Sequence, residues 1–175
     1  MFKFKSMGPL GKSAKDRMLW KPMMAAAVVA CASGVVALRV AHATPPSPGF
    51  VGSPIVGPVR FDEIHTLTQT TDWGIFLKTR GLSDVYVTRV TLAPGAHSGW
   101  HSTPGPSIIS VKSGTATLYD ECEDFVPQVY SAGSGFVEDA ECVHLLANEG
   151  TVDLEVIVMQ IVPRGAPRRI DEPAP

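Results

Sequence analysis

"PGAHSGWHSTPGPSIISVKSGTATLYD", residues 94–120, and "YSAGSGFVEDAECVHLLANEG", residues 130–150, decide the fold of this chain. The first starts in turn-forming residues and passes into two strand-like runs, 107–114 and 115–120. "KSGT" stands between them, where a hairpin turn is needed. The second overlaps the runs 127–138 and 142–150, with "SAGSG" interrupting the first and "NEGT" closing the other. Working outward, 59–69, 73–80, 84–93 and 152–162 have the same character. Apolar–polar alternation is clearest around Val85 and Val87. No stretch after residue 43 has a 3.6-residue period. Eight or so short strands in one domain predict an all-β closed or double-sheet architecture, which removes exposed strand edges.

The 175 residues suit one domain with a leader or tail. A formal charge of −2, with no basic cluster in the body, argues against nucleic acid, which needs a cationic face for its phosphates. Residues 1–43 read as a signal segment. Lysines and arginines from Lys3 to Lys21 precede the apolar run Met23–Leu38, and "AHA" at 41–43 is a small-x-small cleavage signature. The protein is therefore expected to be exported: secreted, periplasmic or in the cell envelope. Membrane attachment is expected only through an uncleaved leader or a lipidated Cys31. Residues 44–58 read as a Pro/Gly-rich linker, 59–162 as the β-barrel and 163–175 as a tail.

With Cys31 in the leader, Cys122 and Cys142 remain as a pair in an oxidising compartment, where a disulfide is the first expectation. Thiolate ligation of a metal by Cys142 is the competing use. There is no G-x-S-x-G, no phosphate-binding glycine loop and no C-x-x-C, so neither a serine nucleophile nor a nucleotide cofactor is expected.

The two quoted stretches resemble the paired signature motifs of the cupin superfamily, most of all its small single-domain exported bacterial members. The similarity runs from Asp84 to Val162. It implies a jelly-roll barrel (a double-stranded β-helix) and a divalent metal held by two histidines and a glutamate of the first motif and one histidine of the second. It also admits a homodimer. Carried over residue by residue, His101 takes the first histidine's place and His144 that of the second motif, with Asn148 four residues later. Thr103 stands where the other histidine belongs, and Ser107 near the glutamate position.

Zinc, nickel, manganese or iron is thus expected to be weakly held, since a hydroxyl is a poor ligand beside imidazole. A histidine at 103 is expected to strengthen binding. His97, Cys142 and Glu138 are candidate substitutes, although His97 lies about 13 Å from His101 if the strand is straight. Three functions follow from the resemblance. The leading one is small-molecule binding in the barrel beside a degenerate or unusual metal site. The others are a metal-dependent dioxygenase or isomerase/epimerase, and an interaction module with a filled barrel.

Overall fold

The computed structural model describes residues 42–175. The leader, Cys31 included, lies outside the described residues apart from His42 and Ala43. The strands are β1 (Phe50–Phe61), β2 (His65–Gln69), β3 (Gly74–Lys78), β4 (Ser83–Leu92), β5 (His101–Ser102), β6 (Ser107–Ser113) and β7 (Thr115–Asp120). After a single 3-10 turn come β8 (Gln128–Ser131), β9 (Gly135–Glu138), β10 (His144–Ala147), β11 (Leu154–Pro163) and β12 (Ile170–Asp171). One sheet runs β1-β4-β11-β6-β9, a second β12-β5-β10-β7-β8, and β2-β3 is a separate hairpin. All pairings are antiparallel.

Alternation along the strands builds the core. In β6, Ser107, Ile109 and Val111 are buried while Ile108 and Ser110 are exposed. Leu92, Ile109, Leu154 and Val156 of the first sheet pack with Ala116, Leu118 and Leu146 of the second. Gly114 alone separates β6 from β7 at φ 77°, and a Cβ there would lie 2.7 Å from the Asp153 carbonyl oxygen, so the turn requires glycine. Asn148 is fully buried, and its amide donates to the carbonyls of Leu92 and Val152.

Two expected boundaries change. The 44–58 segment is not a free linker, because β1 begins at Phe50 and pairs with β4 from Phe50↔Leu92 to Phe61↔Ser83. Its prolines are tolerated because β1 is an edge strand and the register shifts between Pro54 and Val56 and again before Val59. The 163–175 segment is not a free tail. Arg164 N–H donates to Leu82 O, Gly165 N–H donates to Asp84 Oδ2, and β12 pairs with β5. Beyond β12, Pro173 bridges to Ala43, and Thr44 N–H donates to Glu172 O. The 59–69 and 127–138 runs each divide in two, at Asp62–Ile64 and at Ala132–Ser134.

Candidate metal centre

His101 opens β5 and lies directly opposite His144 of β10. Opposed residues of an antiparallel pair share a face, and the two rings stand 4.4 Å apart between centroids. Gly99, at φ 72°, bends the chain into β5. A Cβ there would meet Thr44 O at 2.2 Å, so no other residue fits the bend. The Gly99 carbonyl lies 3.0 Å from His101 Nδ1, and the Cys142 carbonyl 2.9 Å from His144 Nδ1. A carbonyl can only accept, so Nδ1 carries the proton on both rings and each Nε2 is turned toward the centre. Fixing one ring nitrogen so that the other is presented is how metal-binding histidines are oriented.

Glu138 ends β9, opposite Ser107 of β6. The carboxylate expected near 107 therefore comes from the neighbouring strand, on the same face. Donor atoms of His101, Glu138 and His144 all lie within 4.8 Å of one another. His144 Nε2 is 3.3 Å from Glu138 Oε2 but buried without a well-aligned hydrogen bond. A bare lone pair facing a carboxylate is repulsive, so this position calls for a proton or a cation. Two imidazoles and a carboxylate, at roughly 2.1 Å from one ion, form a donor set suited to zinc, nickel, manganese or iron. The residues present fit such an ion.

The electrostatics separate the two rings. Burial, then the neighbouring His144, pulls His101 down from 6.5 to about 4. Burial would lower His144 too, but the adjacent Glu138 carboxylate outweighs it and raises His144 above its ordinary value.

The other candidates fall elsewhere. His97 bridges to Ala147, and its Nδ1 accepts the Gly99 N–H at 3.1 Å, so it supports the bend and lies outside the three-residue cluster. Cys142 is bonded to Cys122, with Cα atoms 5.8 Å apart. Its sulfur is unavailable as a thiolate, and it serves the centre through its carbonyl. Thr103 is 1% exposed, with its hydroxyl donating to Gly105 O at 2.8 Å. Ser107 is buried beside Gln160 Nε2. Trp100 packs edge-on against Tyr119 and Phe125.

His101 and Glu138 border a cavity of about 260 Å³. Its apolar wall includes Phe50, Val90, Ile109 and Leu146, and its remaining wall carries Arg168 and Arg169. Sequence reasoning missed both arginines, because a proline-rich segment without periodicity gives no sign of docking. One signal was present: Gln160 interrupts the apolar strand β11 and is buried, so it needed an internal partner. Arg168 is that partner.

This two-sheet barrel, with histidines on paired strands facing its interior, is a cupin-type fold, and residues 88–160 match the Cupin 2 family model, described as Cupin domain. Residues 88–160 thus carry a cupin domain. Similar solved structures include the Cupin 2 domain of an XRE family transcriptional regulator from Enterobacter cloacae. It shares 18% identity, over 69% of this chain and 99% of that one, with a TM-score of 0.44. A predicted oxalate decarboxylase from Thermotoga maritima shares 21% identity, over 47% and 83% of the two chains, with a TM-score of 0.40. A conserved protein of unknown function from Streptococcus pyogenes shares 23%, over 47% and 68%, with a TM-score of 0.42. No curated protein matches the chain.

Proposed function

We propose that this protein binds a small molecule inside its barrel, beside a divalent metal ion held by His101, Glu138 and His144. The observation that carries this reading is the buried His144 Nε2, lacking an aligned hydrogen bond and set against the Glu138 carboxylate. Such an arrangement is costly unless a positive charge occupies it. A bound divalent ion would supply Lewis-acid polarisation of an oxygen on the ligand. The chain's own residues hold both imidazoles in the metal-binding tautomer and surround the site with apolar side chains. The Cys122–Cys142 disulfide supports an oxidising compartment, in keeping with residues 1–43 acting as an export leader.

Calorimetric titration of metal-stripped protein with zinc tests the reading. One ion should bind per chain, and His101→Ala and Glu138→Gln should each weaken binding. Absence of zinc binding, or binding that survives both substitutions, would overturn it.

A further inference from the structure

We infer that the ligand is a small organic acid whose carboxylate is taken by Arg169, on the cavity wall formed by the 163–175 segment. This rests on the barrel being a ligand site, and it adds what kind of molecule enters.

The two arginines are used differently. Arg168 is committed to the fold: Nε and Nη2 donate to Gln160 Oε1 at 3.0 and 2.8 Å, and Nη2 donates to Thr88 Oγ1 at 2.7 Å. Its guanidinium also lies 4.6 Å over the Tyr86 ring. Every one of these partners is neutral, so the Arg168 charge is uncompensated at the cavity wall. Arg169 pairs through Nε with Asp171, while its Nη2 is buried with no hydrogen-bond partner. A buried guanidinium N–H without an acceptor is unfavourable unless a ligand supplies one. Guanidinium presents a planar fork that matches a carboxylate.

The charge balance agrees. Asp171 offsets Arg169, and Glu138 faces His144, which leaves Arg168 as excess positive charge before any metal is counted. The same cavity is also lined by Phe50, Val90, Ile109, Leu146 and Val158. The shape therefore asks for an anionic end and a compact apolar body. A cavity of 150 Å³ accommodates benzene, so 260 Å³ suits an acid of roughly ten non-hydrogen atoms. Arg169 immediately precedes β12, and β12 pairs with β5, the strand of His101. One strand pairing thus brings the anion-binding wall against the metal-binding one.

The test uses metal-stripped full chain and three acid–amide pairs: acetate and acetamide, isovalerate and isovaleramide, benzoate and benzamide. Melting shifts and calorimetry should show binding of isovalerate and benzoate over their amides. Arg169→Gln should weaken the acids at least tenfold without weakening zinc binding, since it removes a positive charge from beside the ion's site. Arg169→Lys should recover part of the affinity, since it keeps charge but loses the fork. Equal response to acids and amides, or acid binding indifferent to Arg169→Gln, would overturn the inference even if zinc binds as proposed. Acid binding that depends on Arg169 in a protein that takes no zinc would support it and remove the metal reading instead. Should Arg169→Gln fail to fold, acid–amide discrimination by wild type and the Lys variant decides.

Discussion

The two polar walls of the barrel cavity are built in opposite ways. On one, His101, Glu138 and His144 come from strands whose register is fixed by backbone pairing, with each imidazole tied to a carbonyl. On the other, Arg168 and Arg169 are long side chains from a segment that docks through the two-residue strand β12 and polar contacts. The first wall has little freedom and suits an ion that demands fixed geometry. The second wall is fixed through side-chain contacts instead, Arg168 to Gln160 and Thr88 and Arg169 to Asp171. In the proposed reading, the barrel strands hold the ion and the docked segment selects the ligand.

The largest expected effect breaks the first wall alone. His144→Ala should lower zinc affinity on the order of a thousandfold, since even outer-sphere partners of a metal ligand are worth 10–100-fold. Calorimetry against Arg169→Gln, which should keep zinc, would show whether the walls are separable. Next, removal of the disulfide by replacing Cys122 and Cys142 with serine should cost about 3 kcal/mol for its 20-residue separation. Urea unfolding measures this, and the loss should fall on the β10 side, where Cys142 precedes His144.

The metal-free protein should show a stability maximum near pH 6.5. His101 titrates at about 4 when folded against 6.5 unfolded, so its contribution is complete above 6.5 and disappears as pH falls toward 4. That limb amounts to roughly 3 kcal/mol. His144 is shifted upward, so its contribution is complete below 6.5 and is lost as pH rises through its raised value. Saturating zinc, which displaces the His144 proton, should flatten the high-pH limb in melting curves.

Against the expectation from the motif, Thr103→His should destabilise by about 1–3 kcal/mol through overpacking and add no zinc affinity. The threonine is fully enclosed, with its hydroxyl held by Gly105. A gain in affinity would show that the first wall extends to residue 103. The smallest effect is at Glu141, whose φ of 72° is left-handed. Glu141→Gly should stabilise by roughly 0.5–1 kcal/mol, measured by urea unfolding.

Much of the barrel was legible in the sequence because its signals are local. Alternation in 84–93 and the turn residues "KSGT" and "NEGT" mark β4, the β6–β7 turn and the end of β10. His101 and His144 stood out through the motif spacing. What escaped depends on partners distant in the chain. β1 is an edge strand rich in proline and glycine, and its pairing with β4 leaves no alternation, since most of its residues are exposed on both faces. Glu138 was a candidate from the sequence, but its position beside His101 and His144 depends on pairing with Ser107, a relation that spacing along the chain cannot express. The arginine wall was hidden for the same reason, with only Gln160 hinting at an internal partner.

The bridge between Ala43 and Pro173 gives the described chain nearly the connectivity of a ring. A ring has no privileged opening. Joining these two positions with a short peptide and cutting instead at the exposed β2–β3 tip, between Thr71 and Asp72, should yield a circular permutant with the same barrel. Such rearrangements succeed where ends are close and the new cut lies in an exposed loop. In that permutant the strand pairing beside His101 would be held by a covalent link. The segment that carries Arg168 and Arg169 would then be tethered through the backbone at both of its ends.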